Sequence, residues 1–381
     1  MRRYLIPPAA EAASAVLWPC VISRAAVFAV AASASIAARA ADVPGVGAAG
    51  RLHHLLERWD AIWYLDIAAH GYRWNPQAVD AQQNVVFFPL YPWLTRAVGF
   101  VLGGHLTIAG AIVSGAAFFA ACVQVWRFAA AELTPPAPGD ARRLATRAVV
   151  MLCAYPFAIY FGVVYTESLF LLLIASAFLA ARGGRFGTAA VCSTLAGLTR
   201  PNGVVLSLPI AWIAAHDRTD SPLAVRAAAV AGPIAGVALY SMFLDARVGD
   251  PLAWLHGQAA WHWISPEATR DLAAAARHID PVDAAIALAN LAAAIVALAA
   301  IARIYRLLGG AAALLVAASV GIALVNHGLL SMGRFTSILF PLFVWLAWAT
   351  REGARFRWIA IGFGVGEAAA AALFFAGRPM V

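Results

Sequence analysis

The sequence predicts an all-α protein that crosses a lipid bilayer many times. Of its 381 residues, 63% are hydrophobic and only 12% are charged, and the mean hydropathy is +0.78. A soluble domain usually carries about twice that share of charged residues. Several windows of about 20 apolar residues occur, each long enough to cross about 30 Å of hydrocarbon. These observations exclude a soluble globular domain and indicate a polytopic helical membrane protein.

The charged residues indicate a lipid partner rather than a nucleic acid. All 27 basic residues are arginines, and the formal net charge is +8. The arginines stand singly or in pairs between apolar spans, as expected of topology markers and lipid-headgroup contacts. The four cysteines lie within or beside apolar spans without C-x-x-C spacing. We therefore expect neither a disulfide framework nor structural zinc, and we assign no metal ligand.

The order of the apolar segments predicts about eleven transmembrane helices in a single domain, 1–381. We interpret residues 17–38 as a retained first span, although Arg2 and Arg3 before an apolar run also fit a signal peptide. The apolar windows predict the remaining spans at 105–130, 145–163, 165–182, 186–199, 203–216, 224–245, 282–303, 310–330, 335–350 and 358–376.

This arrangement places the arginine clusters on one side of the membrane, as the positive-inside rule requires. Loops 39–104 and 246–281 then lie on the opposite, extracytoplasmic side. Residues 87–101 are apolar, but Pro89, Pro92 and Arg96 interrupt them, so we expect this segment to lie in the membrane interface. Helices 186–199 and 203–216 are short, which predicts that the turn between them lines a cavity below the outer surface.

The first of these loops contains the most polar amphipathic run of the chain, beginning at Asp60. Positions 60, 64, 67 and 71 share one helical stripe, and Asp66 and His70 are i,i+4 neighbours on the next stripe. An aspartate directly before a helical run is typical of an N-cap. The same carboxylate at the edge of a membrane is also a candidate for chemistry. The residues alone leave both interpretations open.

The loop motif and several later segments resemble the PIG-V mannosyltransferase family. The loop reads W-D-A-I-W-Y-L-D-I-A-A-H-G-Y from Trp59 and is followed by F-F-P-L-Y-P from Phe87. Four further motifs follow in the order found in that family. They are Y-P-F-A-I-Y-F-G-V-V-Y-T-E-S-L-F at 155–170, T-R-P-N-G at 199–203, G-Q-A-A-W at 257–261 and G-R-F at 333–335.

This resemblance implies a GT-C-like membrane glycosyltransferase whose donor is a sugar linked to polyprenyl phosphate. Asp60 matches the family's W-D position and becomes the candidate general base, which removes the proton of an acceptor hydroxyl as it attacks the anomeric carbon. A single base suffices for direct, inverting displacement, because the lipid phosphate leaves without needing a second carboxylate.

Arginines at the predicted outer face are candidates for binding the donor phosphate. A guanidinium group matches phosphate oxygens well, so we assign this role to Arg334 and Arg200. Glu167 is an isolated acid whose burial without a partner would be costly, so it either faces a hydrated cavity or has a partner. A salt bridge between Glu167 and Arg200 is the alternative interpretation.

Further candidates for substrate binding come from the same motifs. Asp66 and His70 form either a structural pair or a contact to acceptor or metal, and Trp59 and Tyr64 either stack on the substrate or anchor the loop. His256 and His262 fit no familiar zinc spacing. The complete substrate-binding set is Trp59, Tyr64, Asp66, His70, Glu167, Asn202, Gln258 and Trp261.

We therefore expect a multi-pass mannosyltransferase in a bacterial inner or plasma membrane, with its site facing outward. The acceptor is a glycan, a lipid or a protein, and the sequence leaves metal dependence open. Transfer of another sugar is an alternative within this class. Two rivals are a secondary transporter, which predicts internal repeats that this chain lacks, and a non-catalytic lipid-binding protein, which would tolerate Asp60→Asn.

Overall fold

Helices make up most of the residues that the computed structural model describes, which are 6–37, 55–133, 138–216, 219–261 and 280–380. Arg2, Arg3, His262 and parts of the predicted loops 39–104 and 246–281 lie outside the described residues. The α-helices are α1 Ala9–Ala37, α2 Ala61–His70, α3 Leu90–Val101, α4 Leu106–Glu132, α5 Pro138–Ala154, α6 Glu167–Arg182, α7 Phe186–Thr199, α8 Ser207–His216, α9 Leu223–Val248, α10 Ala253–His256, α11 Pro281–Leu308, α12 Gly310–His327, α13 Met332–Ser337, α14 Phe340–Ala349 and α15 Gly353–Phe375.

The all-α prediction is confirmed. Among the described residues, five helices are long and apolar enough to cross a membrane, namely α1, α4, α9, α11 and α15. The predicted total of about eleven spans is not confirmed and stays a prediction. Helix α3 has 12 residues and is therefore about 18 Å long, too short to cross about 30 Å of hydrocarbon. Its length agrees with the expectation that residues 87–101 do not cross.

Several predicted boundaries were wrong, and prolines explain two of them. The predicted span 145–163 ends as a helix at Ala154, since Pro156 disfavours helical backbone in the residue before it. The predicted span 335–350 is two helices, α13 and α14, and Pro341 occupies the first turn of the second. Helix α1 begins at Ala9 instead of residue 17, because an alanine-rich turn with good helix propensity precedes the apolar run.

Glycines allow helices α7 and α9 to pack closely. A Cβ atom added at Gly232 would lie 2.9 Å from the Ala190 oxygen, and one at Gly236 would lie 2.8 Å from the Leu198 nitrogen. Gly232 and Gly236 form a G-x-x-x-G pattern, which lets helix backbones approach each other in membranes. This contact fixes α7, whose last residue, Thr199, directly precedes Arg200.

Interruptions of the helices create the polar end of the bundle. Arg200 has extended backbone torsions (φ −154°, ψ 145°) before Pro201, and a 3₁₀ helix, Pro201–Leu206, follows. A second 3₁₀ helix, Ala158–Phe161, precedes α6, which begins at Glu167. The short helix α13 carries Arg334. Each break therefore brings a charged residue to the end of a helix.

Two hydrogen bonds join connections that share a predicted side of the membrane. Arg147 donates a hydrogen bond to the Arg351 carbonyl at 2.8 Å, and Arg182 donates one to the Leu308 carbonyl at 3.4 Å. All four residues belong to connections predicted to be cytoplasmic, or to helix ends beside them. The connections predicted to be extracytoplasmic meet elsewhere, around the cavity described below.

Candidate functional site

Asp60 occupies the N-cap position of α2 without acting as a cap. Its side chain accepts no hydrogen bond from the first turn of the helix. Trp59, directly before it, has a positive φ of 56°. A non-glycine residue in the left-handed region costs on the order of 1 kcal/mol and persists only where the surroundings enforce it. The strained backbone therefore aims the Asp60 carboxylate away from its own helix.

An arginine from the far end of the chain binds this carboxylate. Arg334 Nη1 lies 2.6 Å from Asp60 Oδ2, and Arg334 Nε donates to Glu167 Oε1. The same Glu167 oxygen accepts from Arg200 Nη1 at 2.9 Å. Four side chains thus form one network in the order Arg200, Glu167, Arg334 and Asp60. The predicted partner of Glu167 exists, and the expected Glu167–Arg200 salt bridge is present alongside a second arginine.

Burial within this network decreases from Glu167 outward. The Glu167 side chain is fully buried, those of Arg200 and Arg334 are 12% exposed, and that of Asp60 is 22% exposed. Removing one partner from a buried pair leaves an uncompensated charge and costs about 3–5 kcal/mol. Glu167 is therefore the structural centre of the network, whereas Asp60 presents its carboxylate to a cavity.

Tyr165 contacts both partners of the ion pair between Asp60 and Arg334. Its hydroxyl accepts a hydrogen bond from the Asp60 backbone N–H at 3.3 Å and donates one to the Arg58 carbonyl at 3.4 Å. The Arg334 guanidinium carbon lies 4.8 Å from the centroid of the Tyr165 ring and 5.1 Å from that of Tyr160. Such cation–π contacts strengthen when they are shielded from water. Tyr165 therefore fixes the position of Asp60 relative to Arg334.

A cavity of about 520 Å³ opens beside the ion pair, within the size range of small-molecule sites. Its walls come from α2, the turn after α7, α10 with the 3₁₀ helix Gly257–Trp261, and the α12–α13 region. This confirms that the turn after α7 lines a cavity. The predicted site residues that line it are Asp60, Tyr64, Arg200, Asn202, Gln258, Trp261 and Arg334.

The remaining predicted site residues lie outside this cavity. Trp59 is 41% exposed and does not line it. Glu167 lies behind the wall and reaches the cavity only through its two arginines. Asp66 and His70 line a separate groove on the other side of α2. There the predicted i,i+4 pair is present, with His70 Nδ1 2.9 Å from Asp66 Oδ1.

The Asp66 group is a structural clamp on the first loop. Arg73 binds the carboxylate at 2.7 Å and the Asn84 amide donates to it at 2.9 Å. Partial burial raises the pKa of Asp66, but the hydrogen bonds from Asn84, His70 and Arg73 outweigh this effect and hold the pKa below its ordinary value. A carboxylate with three such partners ties α2 to the segment that leads to α3.

The Tyr64 hydroxyl is a poor candidate for a general base because it stays protonated at neutral pH. Burial, followed by the negative charge of Asp60, raises the pKa of Tyr64 to about 12. The phenol therefore remains protonated at neutral pH and can only donate or accept a hydrogen bond. Its hydroxyl lies 3.4 Å from Thr166 Oγ1. Of the described residues that line this cavity, only Asp60 carries a carboxylate.

Sequence reasoning missed several residues of the site. Tyr165 was part of the matched motif, yet nothing in the sequence showed that its hydroxyl would meet the backbone at Asp60. Ser331 lines the cavity and, like Trp59, has a positive φ, 58°. A strained residue therefore precedes each partner of the ion pair: Trp59 lies one position before Asp60, and Ser331 lies three positions before Arg334. Trp254 and Phe335 complete the apolar part of the wall.

The fold and the cavity define a class of protein. Five membrane-length helices among the described residues, in an all-helical bundle with a charged cavity, describe a multi-pass integral membrane protein.

A family model identifies the protein family to which this chain is related. Residues 16–217 match the family model described as Mannosyltransferase (PIG-V). The chain belongs to this family and is a membrane glycosyltransferase. The matched region contains most of α1, the loop motif with Asp60, Glu167 and Arg200.

Two solved structures of the Archaeoglobus fulgidus oligosaccharyltransferase are also similar. The complex with zinc and sulfate shares 14% identity at a TM-score of 0.44, over 81% of this chain and 48% of that one. The apo form shares 14% identity at a TM-score of 0.45, over 93% of this chain and 56% of that one. The chain thus spans about half the length of these relatives. A search of curated proteins gave no match.

Proposed function

We propose that this protein transfers a mannosyl group from polyprenyl phosphate to an acceptor hydroxyl, with Asp60 as general base. The observation that supports this proposal is the 2.6 Å ion pair between Asp60 and Arg334 on the wall of a 520 Å³ cavity. It joins a proton acceptor to a phosphate-binding group, and displacement from a phosphate-linked sugar needs both within one site.

The donor phosphate binds at Arg334 and Arg200. A guanidinium group carries five N–H donors in a planar fork that matches phosphate oxygens. Arg334 uses Nε and Nη1 in the ion network, and among the described residues its Nη2 makes no hydrogen bond. The two arginines line the same cavity and share Glu167 between them. Their remaining N–H groups are therefore held at a fixed separation for an incoming anion.

Phosphate binding also prepares the base. In the structure Arg334 Nη1 occupies Asp60 Oδ2, the oxygen that would receive the proton of the acceptor. An anionic phosphodiester competes for the same guanidinium group and loosens its contact with Asp60. The base is therefore released when the donor is present, which limits unproductive chemistry in the absence of donor.

The reaction then proceeds as a single displacement. The acceptor oxygen attacks the anomeric carbon while its proton passes to Asp60 Oδ2. The bond between the anomeric carbon and the phosphate oxygen breaks, and its electron pair leaves with polyprenyl phosphate, whose added negative charge is stabilised by Arg334 and Arg200. Attack from the face opposite the leaving group inverts the anomeric configuration. The proton later leaves Asp60 with the products.

The acceptor contacts three further residues of the cavity wall. Gln258 and Trp261 lie on the 3₁₀ helix Gly257–Trp261, and Asn202 lies on the turn after α7. Amide groups bind sugar hydroxyls through hydrogen bonds, and an indole ring offers a flat apolar face. This chemistry fits a hydroxyl-rich acceptor, whether its carrier is a glycan, a lipid or a protein.

The proposal is tested by mannose transfer in membranes. Membranes containing the full chain are supplied with radiolabelled polyprenyl-phosphate-mannose, and incorporation into product is measured. Asp60→Asn should lower the rate by about 10²- to 10⁴-fold, the usual contribution of a general base. Unchanged transfer by Asp60→Asn would exclude Asp60 as the base. The same assay with other polyprenyl-phosphate sugars tests the choice of mannose.

A matched control distinguishes catalysis from the general loss of an ion pair. Asp283 forms an exposed pair with Arg378 at 3.4 Å and does not line the cavity. Asp283→Asn should therefore leave the transfer rate unchanged. Because arginines supply the positive charge in this proposal, treatment with EDTA should also leave the rate unchanged. Loss of activity with EDTA would instead assign phosphate binding to a metal ion.

The proposed orientation places the cavity on the extracytoplasmic side. Labelling with a membrane-impermeant thiol reagent tests this with Asp80→Cys in the first loop and Arg142→Cys at the start of α5, introduced into a chain whose native cysteines are replaced. Intact cells should label position 80 and not position 142. The reverse pattern would place the cavity on the cytoplasmic side.

A further inference from the structure

Three cysteines that are far apart in the sequence meet inside the helix bundle. Cys20 lies on α1, Cys122 on α4 and Cys153 on α5, and all three are buried. Their Sγ atoms lie within 4.8 Å of one another, and those of Cys20 and Cys153 are 3.9 Å apart. This cluster has no part in the proposed transfer reaction.

The spacing of the thiols fits a three-coordinate metal ion. With metal–sulfur bonds of about 2.3 Å, a trigonal planar arrangement places its sulfur atoms about 4.0 Å apart. The 3.9 Å separation of the Cys20 and Cys153 sulfurs agrees with that value. Because all three sulfurs lie within 4.8 Å of one another, small rotations of the side chains would bring every pair to this separation. A disulfide, by contrast, requires about 2.05 Å between two sulfurs and leaves the third unused.

The donor set selects the class of metal. Thiolate sulfur is a soft ligand and favours Cu⁺ over hard ions. Within the described part of the chain, no histidine, aspartate, glutamate or fourth cysteine joins this group. Zn²⁺ in structural sites is almost always four-coordinate, whereas Cu⁺ accepts three thiolates. The geometry and the ligand chemistry therefore agree on Cu⁺.

Polar groups next to the thiols moderate the charge of such a site. Arg24 follows Cys20 by four residues and so lies on the same face of α1. It pairs with Glu367 of α15 at 2.6 Å, and Ser23 donates to the Cys153 carbonyl at 2.5 Å. Each thiol that coordinates the metal releases its proton and becomes a thiolate. The metal ion offsets one of these negative charges, and the Arg24 guanidinium, which also pairs with Glu367, offsets a further part.

We propose that Cys20, Cys122 and Cys153 form a three-thiolate site for one Cu⁺ ion. Uptake of the ion by three thiols releases up to three protons and creates three copper–sulfur bonds. These bonds connect α1 to α4 and α5, so the site fastens the N-terminal helix to the bundle. A metal that binds only the folded chain stabilises it by mass action.

The test uses the full chain purified in detergent from cells grown with added copper. Copper per chain is measured by elemental mass spectrometry, and X-ray absorption reports the number of sulfur ligands. We expect about one copper ion per chain, bound by three sulfurs. The separate changes Cys20→Ser, Cys122→Ser and Cys153→Ser should each remove the bound copper and lower the thermal stability of the copper-treated protein.

The fourth cysteine provides the matched control. Cys192 lies on α7, outside the group, and Cys192→Ser should retain copper at the wild-type level. The metal-free wild-type protein is also reconstituted with Cu⁺ in the presence of a competing chelator. This second measurement does not depend on how well the variants fold. Copper well below one ion per chain in both preparations, copper retained by the Cys122→Ser variant, or a Cys20–Cys153 disulfide would overturn the proposal.

Discussion

The buried ion network predicts a non-additive effect on stability when Glu167 and Arg200 are changed separately and together. Glu167→Gln removes the acid that binds two guanidinium groups, leaving Arg200 without this partner and Arg334 with Asp60 alone. Because Glu167 is fully buried and Arg200 is 12% exposed, the expected loss of stability is about 3–5 kcal/mol.

The second single change, Arg200→Gln, should lower the unfolding free energy less than Glu167→Gln does. Arg200→Gln leaves Glu167 paired with Arg334, so the acid keeps one charged partner and the expected loss is about 1–3 kcal/mol. The double variant replaces the pair with two neutral amides that can hydrogen-bond to each other. Its loss should therefore be about 1–3 kcal/mol smaller than the sum of the two single losses, as is typical of coupled neighbours.

Reversible unfolding in mixed micelles measures these quantities. Tryptophan fluorescence is followed as the fraction of denaturing detergent increases, and 13 tryptophans provide the signal. The same cycle with Asp283→Asn and Arg378→Gln, an exposed pair, serves as the control and should show a coupling below about 1 kcal/mol. Losses at Glu167 and Arg200 that add to within about 0.5 kcal/mol would refute the coupling.

Three further predictions concern positioning, packing and pH. Tyr165→Phe removes the hydroxyl that bridges the backbone at Asp60, and we expect kcat to fall about tenfold with little change in KM for the donor; an unchanged kcat would refute this role. Gly236→Ala places a Cβ atom within 3 Å of several backbone atoms of α7 and should cost about 1–3 kcal/mol in unfolding free energy. Gly362→Ala, with no atom within 4 Å, should be neutral. Because folding lowers the pKa of Asp66, its carboxylate stabilises the protein above about pH 4, and this stabilisation is lost as the pH falls through the pKa of the folded state. The unfolding free energy of Asp66→Asn should therefore differ from that of the wild type at pH 7, and the difference should shrink in acid.

Much of the local structure was predictable because its causes are local. Helix α4 was predicted at 105–130 and occurs at Leu106–Glu132, since hydropathy and span length are properties of a continuous segment. The helix after Asp60 and the contact between Asp66 and His70 follow from helical periodicity alone. Boundaries failed mainly where a proline or an alanine-rich turn changed the end of a helix, as at Ala154.

The candidate site was predictable only in part. Motif order identified Asp60, Arg200 and Arg334, and all three line the cavity. For Asp66 and His70, which belong to the same motif as Asp60, the sequence left a structural pair and a substrate contact both open. They face the opposite side of α2, since a helix turns about 100° per residue and neighbouring motif positions point in different directions.

The sequence by itself determined that this protein is a helical membrane protein of the PIG-V family, and which polar residues interrupt its apolar spans. Only the tertiary structure decided which of these residues meet. Asp60 and Arg334 are separated by 274 positions, and Cys20, Cys122 and Cys153 come from three different helices. Such contacts depend on how several helices pack at once, because side chains distant in the chain become neighbours only through the shapes of all the surfaces between them.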